Sequence, residues 1–244
     1  MTNRDYNAEY EVSEGRKYAY LFDDRMREYF IRTFNDDFVN GDNVLEIGCY
    51  QGDFTEKLLP IFNNITVLDA SSDSLAVVAQ RFGNKVRRVE GIIENLSFDE
   101  GFDTIFLVHT LEHLDDPVAD LRRIGSWLRP GGRFFVVVPN ANAASRQIAV
   151  QMGIVDFNAA ITEAEHVHGH RATYSLDTLA SVIRRAELDI VRTGGVFFKP
   201  LANYQFDALA DSDLLSPEFY EGCYKLGFRY PDLCASVYAV VEKT

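Results

Sequence analysis

The sequence predicts an α/β protein built on a doubly wound parallel sheet, and three observations carry that reading. Short runs of β-branched and other apolar residues recur at strand length without in–out alternation, as in "NVLEIG" and "RFFVVVP". Strands covered on both faces have this pattern. Segments with apolar residues at helical spacing separate the runs, and the connections are short. Such alternation folds as right-handed strand–helix–strand crossovers.

In chain order, residues 1–40 are rich in aromatic side chains (Tyr6, Tyr10, Tyr18, Tyr20, Tyr29 and Phe30). Within them "DDRMREYFIRTF" patterns as an amphipathic helix, either a cap over a ligand site or a helix packed on the sheet. Strands are expected at Asn43 to Gly48, Ile65 to Ala70, Asp103 to Val108 and Arg133 to Pro139, with a weaker, edge-type strand at Lys85 to Glu90. Leu75, Val78, Ala79 and Phe82 recur as one apolar helix face. Leu121, Ile124 and Leu128 form another, which Pro130-Gly131-Gly132 is expected to end.

Residues 141–174 are long for a simple connection and are read as a lid, with "NAASRQIAVQMG" helical. Leu176, Leu179, Ala180 and Ile183 mark a later helix with Ser175 as its N-cap. "LDIVRTGGVFF" and "CASVYAVVEK" are strand-like, and residues 200–234 between them are too many for a hairpin turn. Tyr204, Phe206, Phe219, Tyr220, Tyr224 and Phe228 populate that insertion and read as its own small core.

Bulk properties narrow the function class. The 244 residues carry a formal net charge of −13, which argues against duplex nucleic acid or an anionic membrane as partner, since both depend on Lys and Arg neutralising phosphates. The polar N-terminus lacks the apolar core of a signal peptide. No apolar run approaches the roughly 20 residues of a membrane-spanning helix. Cys49, Cys223 and Cys234 are odd in number and widely spaced, which suits reduced thiols. A cytoplasmic protein acting on a small molecule, as a monomer or homodimer, is the expectation.

In a doubly wound sheet the ligand sits beyond the carboxyl ends of the strands, where the strand order reverses. The loops after Ile47, Leu68, Val108 and Val138 are therefore the informative ones. The first, "LEIGCYQGDF", places Glu46, Gly48 and Gly52 at a strand-to-helix turn, where glycines let the backbone approach a ligand and expose N–H groups. The dinucleotide fingerprint Gly-x-Gly-x-x-Gly fails here, because Tyr50 and Asp53 stand at its second and third glycines. Asp69 ends the second strand, 23 residues after Glu46, where a carboxylate can accept both hydroxyls of a ribose.

Four segments, "VLEIGCYQGDF", "ITVLDASSDSL", "FDTIFLVHTLEHLDDP" and "LRPGGRFFVVVPN", resemble in order and spacing the signature segments of the class I S-adenosylmethionine-dependent methyltransferases. The match spans Asn43 to Asn140, and "LEH…DDP" is similar to the branch of ubiquinone-pathway, sugar and natural-product methyltransferases. The segment from "GHRATYSLDTL" onward resembles enzymes encoded with surface-polysaccharide biosynthesis.

The resemblance implies one methyltransferase domain over residues 1–244, with a helical cap (1–40), a cofactor-binding core (41–140), the lid and the insertion. Its fold would be a Rossmann-like sheet of seven strands, mostly parallel, closing on a C-terminal antiparallel hairpin. By the same resemblance Glu46, Gly48, Cys49 and Gly52 line the methionine end of S-adenosylmethionine, Asp69 holds the ribose with Ala70 beside the adenine, and His109 and Thr110 border the sulfonium. Two positions depart from the family pattern. Tyr50 replaces a frequent glycine, and Ile92 stands where an Asp often bonds the adenine, leaving Ile92 and Ile93 to sandwich the ring or offer backbone atoms.

The remaining question is the histidine run "EHVHGHR", which holds His166, His168 and His170 of the chain's five. It admits three readings: a metal clamp with Glu163 and Glu165, a proton-transfer site, or imidazoles on a solvated loop. Methyl transfer needs no metal, so no metal ligand is assigned. A hydroxyl nucleophile does need a base, and histidine is matched to that near neutral pH. His170 is the first choice, with His168 and His109 as further catalytic candidates and Arg171 and Tyr174 as substrate contacts. His113 reads as a capping or packing residue. The acceptor expected is a hydroxyl or amine of a sugar or surface-polysaccharide precursor. Two rivals stay open: a non-catalytic cofactor-binding protein of this fold, and, less favoured, an NAD-dependent oxidoreductase.

Overall fold

The computed structural model describes residues 4–15, 20–210 and 212–243; Tyr18 lies outside them. One seven-stranded sheet forms from β1 (Asn43–Ile47), β2 (Asn64–Asp69), β3 (Val86–Glu90), β4 (Phe102–Val108), β5 (Leu128–Pro139), β6 (Asp189–Phe198) and β7 (Cys234–Glu242). Their spatial order is β3-β2-β1-β4-β5-β7-β6. The first five strands pair in parallel, and β7 pairs antiparallel with both β5 and β6. The expected C-terminal hairpin is therefore present, and the weak strand at Val86 is at the edge. The strand order reverses between β1 and β4, and Ile47 pairs with Leu68 on one side and Leu107 on the other. Loops leaving these strands at their carboxyl ends open a crevice.

Ten helices accompany the sheet among the described residues: α1 (Tyr6–Gly15), α2 (Leu21–Phe34), α3 (Asp53–Leu58), α4 (Ser72–Phe82), α5 (Pro117–Ser126), α6 (Ala144–Gln151), α7 (Glu163–Val167), α8 (Leu176–Arg185), α9 (Asn203–Leu209) and α10 (Pro217–Gly227). None is long and apolar enough to cross a membrane. Local chemistry explains their ends. Ser71 and Ser175 cap α4 and α8 by accepting the N–H of Ser74 and Thr178. Asp116 does the same for α5, and Pro117 fills its first turn, where a missing N–H costs nothing.

Apolar side chains alternate between the two faces of the sheet. On one face Leu45, Ile105, Leu107, Phe134 and Val136 meet Leu121, Ile124, Leu179 and Ile183 of α5 and α8. On the other, Phe106 and Phe135 stack at 4.9 Å beneath Phe30 and Phe34 of α2. Each such ring contributes about 1.5–3 kcal/mol by burial, so α2 is fixed to the sheet and also forms one wall of the crevice.

Two sequence expectations change. Leu128 is the first residue of β5, not the last turn of α5. Phe102 donates its N–H to Trp127 O at 2.8 Å, and the ladder shifts between Phe102 and Thr104, so Arg129 to Gly132 bulge out of a strand that has already begun. The insertion aromatics do not make a separate core either. Phe206 stacks on Phe22 at 4.3 Å and Tyr224 on Tyr29 at 4.7 Å, which joins α9 and α10 to α2. Tyr204, Phe219 and Phe228 stay exposed.

Candidate active site

A cavity of about 490 Å³ lies at the carboxyl ends of β1, β2, β4 and β5, walled by α1, α2 and α7. Its β1 side is built by the Gly48 turn. Gly48 has φ 75°, and a Cβ there would sit 2.2 Å from Thr110 Oγ1. That hydroxyl crosses the turn because it donates to the Ile47 and Val108 carbonyls, at 3.2 and 3.1 Å. Tyr50, at φ 47°, keeps the left-handed backbone that glycine favours. Its ring turns away to contact Tyr10 of α1 at 5.4 Å, so the departure from the family pattern adds a wall and leaves the cavity open. Glu46 is buried, accepts the Thr55 hydroxyl at 2.6 Å, and is pushed up to about 8 by desolvation. Cys49 is buried beside it, its thiol also pushed up by desolvation.

Asp69 closes β2. Its Oδ1 accepts the Ser71 N–H at 2.9 Å and its Oδ2 the Tyr50 N–H at 3.1 Å. Burial raises its carboxyl pKa against the pull of those amides. Oδ2 also accepts the Cys49 thiol at 3.7 Å; since Ser71 caps α4, Asp69 is not consumed as a cap, and a lone pair on Oδ1 remains available. Ala70, Ile92 and Ile93 line the adjoining wall, which is apolar.

At the end of β4, His109 is a second non-glycine residue in the left-handed region, φ 50°, a strain that persists only where surrounding structure fixes it. Its Nε2 meets Ser236 Oγ at 2.9 Å, and Phe30 stands edge-on at 5.6 Å. Desolvation, with Arg27 next, drives its pKa down to about 3, so the imidazole is neutral.

The histidine run is not extended. Thr162 and Glu165 form a capping box that starts α7, and Gly169, at φ 82°, ends the turn. Helical spacing separates what alternation would have aligned: His168 and His170 line the cavity, while His166 is exposed and does not. Arg146 binds both oxygens of Glu165, at 2.6 and 3.2 Å, and the Glu112 carbonyl accepts the N–H groups of Arg171 and Ala172. These contacts seat His170 against His113, ring centroids 4.7 Å apart. Desolvation lowers His170 to about 4 although Glu165 pulls the other way. It lowers His113 to about 3.

Glu112 is 2% exposed, and neither carboxyl oxygen has a hydrogen-bond partner among the described residues. Desolvation pushes it up to about 8. Glu112, His113 and His170 each bring one ligand-type atom within 4.8 Å of the others. His166 and His168 take no part in that cluster. Arg171 is exposed and pairs with Asp115 at 2.7 Å, and Tyr174 is buried among the α5 and α8 side chains. Neither is on the cavity wall. Sequence reasoning passed over Glu112, although it is inside the quoted "LEH", and Lys199 at the end of β6, which also lines the cavity.

Comparison with known proteins gives this site a context. A methyltransferase domain family matches residues 16–193. The ubiquinone biosynthesis O-methyltransferase of Xanthomonas euvesicatoria pv. vesicatoria is 26% identical over 176 residues, covering 67% of this chain and 69% of its own. Among solved structures, the N-methyltransferase NodS from Bradyrhizobium japonicum WM9 with S-adenosyl-L-homocysteine superposes with TM-score 0.54 at 19% identity, covering 90% of this chain and 85% of that one. The 1,6-didemethyltoxoflavin-N1-methyltransferase of Burkholderia thailandensis gives TM-score 0.58 at 20% identity, covering 90% and 78%. The chain belongs to the methyltransferase domain family, as a class I S-adenosylmethionine-dependent methyltransferase.

Proposed function

We propose that the protein methylates a hydroxyl, or failing that an amine, of a small polar molecule such as a sugar or surface-polysaccharide precursor, with His170 as base. The observation that carries this reading is the convergence of imidazoles from two distant segments, His109 after β4 and His168 and His170 after α7, on one cavity.

The residues present suit the cofactor. The Gly48 turn, the doubly anchored Asp69 carboxylate and the apolar wall at Ala70, Ile92 and Ile93 match a methionine end, a ribose and an adenine in that order. S-adenosylmethionine supplies a methyl group on a sulfonium, with a neutral thioether as leaving group. The chain then has to align the acceptor, exclude water and remove a proton. His109, fixed by Ser236 and strained in its backbone, forms a rigid stop between cofactor and acceptor. His170, kept neutral by burial, has a ring nitrogen free of charge to receive the hydroxyl proton as the new bond forms. Glu112, whose ligand-type atom is within 4.8 Å of those of His113 and His170, is uncharged near pH 7 because burial raises it to about 8, so it packs beside the imidazoles and does not pair with them as an anion. Arg171 and Tyr174 act, in this reading, behind the wall: the Arg171–Asp115 pair and the Tyr174 packing hold the returning chain.

The test is transfer of a labelled methyl group to a panel of sugars and amino sugars. His170→Gln is expected to lower turnover by about 10²–10⁴-fold while S-adenosylhomocysteine affinity is unchanged. Equal turnover of mutant and wild type on every accepted sugar removes His170 as base.

A further inference from the structure

Three cations line the cavity: Arg4, Arg27 and Lys199. Arg4 chelates Glu9 at 2.6 and 2.7 Å and donates to the His113 carbonyl at 2.8 Å. Arg27 lies 3.6 Å from Asp53 at the start of α3, so it is paired. Lys199 is different. Its ammonium has no hydrogen bond and no carboxylate within ion-pair distance among the described residues; its recorded contact is the Phe22 ring at 5.6 Å. Desolvation lowers it to about 8 although Asp23 pulls it up. An uncompensated cation in such a place is costly, and the fold does not remove it.

The surroundings locate its purpose. Lys199 follows β6, and its carbonyl accepts the Ser145 N–H of α6 at 2.9 Å, which sets it on the α6 side of the cavity, away from the Gly48 turn. Asp23, the carboxylate that acts most strongly on it, is engaged: its side chain accepts the Tyr20 N–H at 2.9 Å and the Asn203 amide at 3.0 Å. Asn203 also lines the cavity, and its own Oδ1 is buried without a hydrogen-bond partner. One wall therefore presents an unpaired cation and, four residues on at the start of α9, an unpaired hydrogen-bond acceptor.

Resting on the methyl-transfer reading above, we propose that Lys199 and Asn203 form an anion-plus-hydroxyl recognition site, and that the acceptor carries a carboxylate or phosphate beside a free hydroxyl. The anion pairs with the Lys199 ammonium, the hydroxyl donates to Asn203 Oδ1, and a second hydroxyl is left to face His170. A polyhydroxylated acid such as a uronate has this arrangement, as does a sugar phosphate. A neutral sugar lacks half of it.

The experiment uses the full chain saturated with S-adenosylhomocysteine and measures binding of D-glucuronate, D-glucose 6-phosphate and D-glucose by ligand-observed NMR, for wild type, Lys199→Met and Lys199→Arg. Wild type is expected to bind at least one anionic sugar at least tenfold tighter than glucose, and the tighter of the two identifies the group. Lys199→Met is expected to bring the anionic and neutral sugars within twofold, Lys199→Arg to keep most of the preference, and all three proteins to bind S-adenosylhomocysteine equally. Absence of any anion preference in wild type, or its survival in Lys199→Met, overturns the proposal. So does a tenfold loss of S-adenosylhomocysteine affinity in Lys199→Met, which would assign the lysine to the cofactor. Failure of wild type to bind S-adenosylhomocysteine sinks the methyltransferase reading itself, a different result from cofactor binding without anion preference.

Discussion

Replacing Asp69 by Asn tests the cofactor site at its most specific point. The substitution keeps shape and one carbonyl oxygen but removes the charge and one acceptor. In the structure Oδ1 accepts the Ser71 amide, and Oδ2 accepts the Tyr50 amide and the Cys49 thiol, so a ribose hydroxyl gains a free lone pair on Oδ1 and reaches Oδ2 by displacing the weak thiol donor. Hydrogen bonds to a charged group are worth about 1.5–3 kcal/mol each. The Asn side chain retains one of the two, weakened, and turns an NH₂ toward a backbone amide that needs an acceptor. A net loss of about 2–3 kcal/mol follows, which is about 30- to 150-fold in affinity. Calorimetric titration of S-adenosylhomocysteine into wild type and Asp69→Asn, with far-UV circular dichroism to show that both are folded, measures it. Affinities within threefold of each other would refute the reasoning, because the ribose then does not use this carboxylate.

The remaining predictions concern the turn and the buried acid. Gly48→Ala places a Cβ 2.2 Å from Thr110 Oγ1 at φ 75°, so it should destabilise the protein by more than the about 1–2 kcal/mol of the backbone alone. Adding Thr110→Ala should recover part of that loss in urea denaturation, and a neutral Gly48→Ala would contradict the turn geometry. Glu112 has a folded pKa raised to about 8, above its unfolded value, so its contribution is fully present below the unfolded pKa and is lost as pH rises through about 8. Glu112→Gln should therefore gain on wild type between pH 5 and pH 9 by a few kcal/mol, on the order of 2–4; parallel stability curves for the two proteins would show that the carboxyl is not buried unpaired.

Much of this was legible before any coordinates. Apolar runs such as Arg133 to Pro139 name the buried strands because a parallel sheet covers both their faces, and from strand order the reactive loops follow. Gly48, Asp69 and Ala70 could be placed on the crevice because strand ends fix where the backbone runs. The histidines were harder. Alternation in "EHVHGHR" suggested one face, but the Thr162–Glu165 capping box closes a helical turn, which sends His166 outward and His170 inward. Lys199 gave no signal, since a lone Lys after an apolar strand usually marks its exposed end. Its meaning comes from Asp23, Phe22 and Asn203, each brought to it by tertiary packing. Leu128 misled for a related reason: helical spacing continues through it, and only the backbone bond to Phe102 decides that the strand has begun.

The most direct test of the account is to titrate S-adenosylhomocysteine and NAD separately into the wild-type protein by calorimetry. The account predicts a micromolar dissociation constant for S-adenosylhomocysteine, about −8 kcal/mol, and no saturable heat with NAD. Saturable binding of NAD, or no heat from S-adenosylhomocysteine at two temperatures with folded protein, would contradict it.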